Sequence, residues 1–169
     1  METDIKRSLR LRSVLNGIFI TLAVLFLVSL FILKGSMNDL ISTKMKEQAG
    51  KPLLKSMTLY VDSAYNYENN HEGYKITFLE FGATGCSSCR MMEKVMNEVR
   101  SKYPSEVKVT FINVLLPVNQ DKMKYFGIAA IPTQVLLDIS GKEVFRHTGY
   151  YSFDELNQEF QKTNLNNNP

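Results

Sequence analysis

Residues 14–33, VLNGIFITLAVLFLVSLFIL, carry no charge, and sixteen of the twenty are apolar. A helix of that length spans about 30 Å, the hydrocarbon thickness of a bilayer. The four exceptions, Asn16, Gly17, Thr21 and Ser29, are uncharged, so none strongly opposes insertion. A secretory signal peptide has an apolar core of about 7–15 residues and a small-residue cleavage site. Here the core is longer, and its exit, Phe31-Ile32-Leu33-Lys34-Gly35-Ser36-Met37, lacks the small-x-small pattern. The segment therefore reads as an uncleaved transmembrane signal-anchor. Lys6, Arg7, Arg10 and Arg12 crowd the short tail before it, whereas Lys34, Lys44, Lys46 and Lys51 are spread out after it. The denser cluster favours a cytoplasmic N-terminus, which makes the chain a single-pass protein of the cytoplasmic membrane with its remainder extracytoplasmic.

That remainder holds one ordinary domain. The net charge of the 169 residues is +3, of which residues 1–33 supply +2, so no basic face for nucleic acid is left. The expected organisation is a cytoplasmic tail at 1–13, the anchor at 14–33, a juxtamembrane linker at 34–56, a domain at 57–163 and a disordered polar tail at 164–169. The linker is polar and Lys-rich, with weak helical periodicity at Leu40, Ile41 and Met45. Within the domain, 75–81 (KITFLEF), 107–116 (VKVTFINVLL) and 133–139 (TQVLLDI) read as strands, and 143–147 returns as a hairpin after Ser140-Gly141. Met92, Val95, Met96 and Val99 fall at helical spacing before Pro104, a short helix covers 121–126, and Ser152-x-x-Glu155 is a capping box opening a last helix. Strand, helix, strand, helix, hairpin, helix predicts an α/β fold with a mixed sheet.

The chain has two cysteines, Cys86 and Cys89, separated by Ser87 and Ser88. They lie between the first strand and the first long helix, with Cys86 at the helix N-terminus. Unpaired N–H groups and the helix dipole there stabilise a thiolate, the nucleophile of disulfide exchange. Cys86 is then the attacker and Cys89 the resolving thiol. A purely structural disulfide closing so short a loop contributes only about 2 kcal/mol. A structural zinc site needs four ligands, and the only other Cys or His residues are the distant His71 and His147. Haem attachment needs His at position 90, which is Arg. Metal is accordingly not expected, and redox exchange is the favoured chemistry.

Phe81-Gly82-Ala83-Thr84-Gly85-Cys86-Ser87-Ser88-Cys89-Arg90-Met91-Met92, followed by Tyr125-Phe126-Gly127-Ile128-Ala129-Ala130-Ile131-Pro132-Thr133, closely resembles the thioredoxin family over about residues 57–163. With the anchor, the chain is similar to the tethered thioredoxin-like proteins that bacteria place outside the cytoplasmic membrane. The resemblance implies a thioredoxin-like α/β fold, with Pro132 as the family's cis-proline beside the cysteines. It also implies substrate-peptide contacts at Gly85, Ile131 and Thr133, and redox tuning by Ser87 and Ser88. Glu80 occupies the place of the family's buried acid, able to accept the proton of Cys89; the competing reading is a solvated strand residue. Three departures stand out: Gly85 replaces the usual Trp, Ser-Ser replaces Gly-Pro, and Phe111 falls where a Lys is common.

The expectation is a thioredoxin-like oxidoreductase whose Cys86–Cys89 pair is its only redox group, with no added cofactor. Its partners would be client proteins bearing thiols or disulfides and a membrane electron-carrier protein that resets the pair. Two other readings remain open: a tethered Cu(I) metallochaperone using Cys86, Cys89 and a methionine, and a redox-inactive adaptor. Met91, Met92 and Met96 read as packing, His147 as a surface strand residue, and Tyr60, Tyr65, Tyr67 and Tyr74 as a contact surface.

Overall fold

The run Ile76–Gly82 (β1) is buried along its whole length, as befits a strand covered on both faces. Val107–Asn113 (β2) pairs with it in parallel, while Thr133–Leu137 (β3) pairs with it antiparallel and Glu143–Thr148 (β4) closes the other edge antiparallel to β3. The sheet order is β2-β1-β3-β4, the mixed sheet the sequence predicts. A parallel pair needs a long crossover, supplied by the helix Ser87–Lys102 (α4) between β1 and β2. The structure, a computed structural model, describes residues 2–163; in the first helix it describes side chains only at 12, 15–29, 37–38 and from 40 onward.

Strand alternation divides the core in two. Leu79, Phe81, Val135 and Leu137 face Val61 and Tyr65 of Lys51–Tyr65 (α2) and Phe126 of Gln120–Phe126 (α5). A four-residue helix, Tyr67–Asn70 (α3), follows α2. On the opposite face Ile76, Phe78 and Leu136 pack against Met92, Val95, Met96 and Val99 of α4 and against Leu156 and Phe160 of Phe153–Lys162 (α6). Met92 and Met96 are thus core, and Met91 is exposed. The capping box at Ser152 forms as expected, with the Glu155 N–H donating to Ser152 Oγ and the Ser152 N–H donating to the Glu155 carboxylate.

Several boundaries differ from the sequence reading. The second strand stops at Asn113 because Asn113 turns the chain: its side-chain oxygen accepts the Leu115 N–H at 3.0 Å and its carbonyl accepts the Asn119 amide at 2.9 Å. Pro117 then opens a 3-10 turn over Pro117–Asn119. The third strand stops at Leu137 because Asp138 Oδ1 accepts from the N–H groups of Ser140 and Lys142.

The first helix, Glu2–Gln48 (α1), runs through 14–33 and on through most of the stretch expected as a linker, and α2 restarts at Lys51 after Gly50. The chain divides into two compact units, Met1–Asp39 and Leu40–Pro169. The second unit therefore begins before residue 57. Within it, Ser42 Oγ donates to the Gly127 carbonyl at 2.6 Å and Lys46 pairs with Glu143. In the first unit, every large apolar side chain described from Leu15 to Val28 is exposed. Among the described residues no helix is long and apolar enough to cross a membrane. The expected span 14–33 runs past the described side chains at both ends, and the expected tail 164–169 lies outside the described residues.

Candidate active site

Cys86 is the N-cap of α4 and Cys89 lies in its first turn, their Cα atoms 5.2 Å apart and their sulfurs joined in a disulfide. The Cys89 N–H donates to Cys86 Sγ at 3.2 Å. The Ser88 hydroxyl lies 3.4 Å from the same sulfur, and with both sulfurs bonded only the hydroxyl can donate. Two donors thus already surround the atom that would carry negative charge on reduction. The pair is unequally accessible: Cys86 is half-buried and Cys89 is 5% exposed.

The backbone explains two of the departures. Gly85 has φ +91°, a region that strains any residue with a Cβ, so a Trp would be disfavoured here despite open space around the position. A Cβ on Gly82 would stand 2.8 Å from Phe111 Cε2 and 3.4 Å from Cys89 Sγ. The missing side chain at 82 lets the Phe111 ring and Cys89 close over the end of β1. A cavity of about 410 Å³ opens at this point, lined by the 83–86 turn, Cys89 and Phe111.

Glu80 is fully buried, which excludes the solvated reading. It shares the sheet face of Gly82, two residues on. Burial pushes its carboxyl up to about 8, and a hydrogen bond from Gln134 draws it the other way. That bond runs from Gln134 Nε2 to Glu80 Oε2 at 3.0 Å. Glu80 pairs in register with Phe111 on β2 and with Gln134 on β3, so an amide stands beside the acid and no Lys faces it across β2. Gln134 was not singled out by the sequence: within TQVLLDI it is one polar residue of a strand, and its partner lies 54 positions away.

The Ile131–Pro132 peptide bond is cis. Pro132 and Thr133 are buried and Ile131 half-buried; the Pro132 carbonyl accepts the Gly149 N–H at 2.8 Å, and Thr133 Oγ1 donates to the Ala130 carbonyl. Ile131 and Cys86 border the same apolar cluster. His147 pairs in register with Gln134 and lies against Tyr151, ring centroids 4.4 Å apart. The Met92 sulfur accepts the Tyr151 N–H. Among the described residues no three His, Cys, Asp or Glu side chains gather where they could hold a metal ion.

A redox-active Cys-x-x-Cys at a helix N-terminus of a mixed α/β sheet defines a thioredoxin-like redox protein. Comparison with known proteins agrees. The family model described as a thioredoxin-like domain matches residues 66–164, more than half of the chain, and the chain belongs to that family. It is similar to the thioredoxin of Alicyclobacillus acidocaldarius, 32% identical over 91 residues that make up 54% of this chain and 84% of the relative. It is likewise similar to the thioredoxin of Listeria monocytogenes, 30% identical over 101 residues, 60% of this chain and 92% of that one. Among solved structures, a thioredoxin of Nicotiana alata is 32% identical with a TM-score of 0.49, covering 64% of this chain and 85% of its own. With its disulfide-forming pair, the protein is a thioredoxin-like oxidoreductase.

Proposed function

We propose that the protein is a membrane-tethered reductant that exchanges the Cys86–Cys89 dithiol with disulfides of client proteins outside the cytoplasmic membrane. The observation that carries the thiol chemistry is the unequal exposure of the two cysteines at the start of α4. The accessible Cys86 thiolate attacks a client disulfide, forming a mixed disulfide and releasing one client thiolate. Cys89 then gives up its proton, with Glu80 as acceptor, and attacks Cys86 Sγ; the second client thiolate leaves. The family resemblance assigns client contact to Gly85, Ile131 and Thr133 about the cis-Pro132, and of these Gly85 is exposed and Ile131 half-buried, while Thr133 would contribute through its backbone.

Tethering is supported by the uncharged run 14–33 and by the exposure of its described apolar side chains. The Lys/Arg cluster at 6–12 supports an extracytoplasmic domain. Reduction is the preferred direction because an oxidising compartment needs dedicated reductants, and a membrane electron-carrier protein would return the pair to the dithiol. In cells, Cys86→Ser abolishes client reduction, whereas Cys89→Ser accumulates mixed disulfides that gel electrophoresis without reductant resolves. Full activity of both variants refutes the exchange reading. Labelling of cysteines introduced at surface positions of the domain by a membrane-impermeant maleimide tests sidedness, and protection in intact cells refutes it.

A further inference from the structure

Glu80 and Gln134 are both fully buried, joined by one hydrogen bond, and each is left with one oxygen, Oε1 in both cases, that has no partner. A buried acceptor without a donor costs about 1–3 kcal/mol, and two in one pair call for a single explanation. A carboxylic acid beside a primary amide makes two bonds, amide N–H to acid oxygen and acid O–H to amide oxygen. The first is present, and the two unpartnered oxygens are the proton site and the acceptor that the second requires. We propose that Gln134 is a positioning residue for thiol exchange: it stores the Glu80 proton in a neutral acid–amide pair while the cysteines are oxidised, and steadies the carboxylate through its N–H once that proton has passed to Cys89.

This inference rests on the exchange reading above. When a protein thiolate of the resetting carrier attacks Cys86 Sγ, a carrier–Cys86 mixed disulfide forms, which a second carrier thiolate later resolves to free Cys86; the Cys86–Cys89 bond breaks and its electron pair leaves on Cys89 Sγ. Glu80 gives that sulfur its proton and becomes the carboxylate. In client reduction the proton returns to Glu80 as Cys89 attacks. The groups around the pair leave it this task. Phe111 faces Glu80 from β2, and Gln134 faces it from β3. Cys89 of α4 lies against Gly82 two residues along the same face. His147 of β4 stands beyond Gln134, against Tyr151, with Glu155 of α6 responding to its charge. Burial and the Gln134 bond account for the Glu80 shift, with no Lys or Arg contributing.

The test is a carbon-13 titration of the Glu80 carboxyl in the oxidised full-length chain in detergent, with Glu80→Gln assigning the signal. Gln134→Met and Gln134→Leu, run in parallel, remove the amide while keeping bulk. The charge-assisted N–H bond is the stronger of the two, so its loss raises the Glu80 midpoint by roughly one pH unit. Resolution of the mixed disulfide at pH 7 then slows about tenfold and recovers at higher pH. In a Glu80→Gln background the same substitutions leave the rate unchanged. An unmoved midpoint, or equal slowing in the Glu80→Gln background, overturns the proposal. A wild-type chain that titrates as described but exchanges no disulfide overturns the parent reading instead.

Discussion

Ser88 illustrates how much one hydroxyl can set. It is the second donor to Cys86 Sγ, beside the Cys89 N–H. On reduction that sulfur carries the charge, and a hydrogen bond to a charged group is worth about 1.5–3 kcal/mol when buried, less at a half-exposed site. Ser88→Ala is therefore expected to raise the Cys86 thiol pKa and to make the disulfide harder to reduce, since the reduced form loses the stabilisation. Thiolate absorbance against pH and equilibration with a glutathione buffer read the two effects; an unchanged potential would show that the hydroxyl has turned away to solvent. Ser87, exposed at the start of the helix, has no such bond to the sulfur, so the redox tuning expected of both serines concentrates at Ser88. Gly82→Ala belongs to the same scale. Its Cβ would collide with the Phe111 ring and press on Cys89, so it is expected to displace the ring and destabilise the oxidised protein by about 1–3 kcal/mol, read from denaturant midpoints.

At the scale of elements, the site is assembled by α4 and by strand register. Apolar spacing locates α4, and a Cys-x-x-Cys just before that spacing places Cys86 at its cap, so this part of the site was legible in the sequence. So was α6, whose capping box is a local pattern; Ser152→Ala removes the bond to the Glu155 N–H and is expected to lower stability by about 1 kcal/mol, measurable by urea unfolding. Cross-strand partners were not legible. Glu80 could be placed in the buried acid's position only by resemblance, and its burial is decided by the strands and helices that pack around β1. Gln134 becomes its neighbour through the β1–β3 pairing, which no local pattern encodes. The helix ends near 48 and 51 were hidden for a different reason. Polar, Lys-rich residues with Gly35 and Pro52 read as a spacer, yet Pro52 sits in the first turn of α2, where a missing N–H costs nothing. Leu115 and Leu116 look like strand, and the turn chemistry of Asn113 overrides them.

At the scale of the whole molecule, the buried acid couples the stability of the domain to pH. The Glu80 carboxyl is raised from 4.5 to about 8 by burial. Between those values the folded chain holds a proton that the unfolded chain has released, so stability is fullest below about 4.5, falls as pH rises, and levels off above about 8. Glu143 and Glu155 act with the opposite sign. Arg146 and Lys46 hold Glu143 down against its burial, and the Ser152 bonds lower Glu155, so their contributions are lost as the solution becomes more acid than the ordinary carboxylate range. The two trends together place maximum stability in mildly acidic solution. Unfolding of the oxidised protein, in which neither cysteine titrates, separates them when wild type is compared with Glu80→Gln. The variant is expected to lack the decline between pH 5 and 8, a difference on the order of 4 kcal/mol at its full extent. Parallel pH profiles for the two proteins would mean that Glu80 is ionised inside the fold, and that the proton needed by Cys89 comes from solvent.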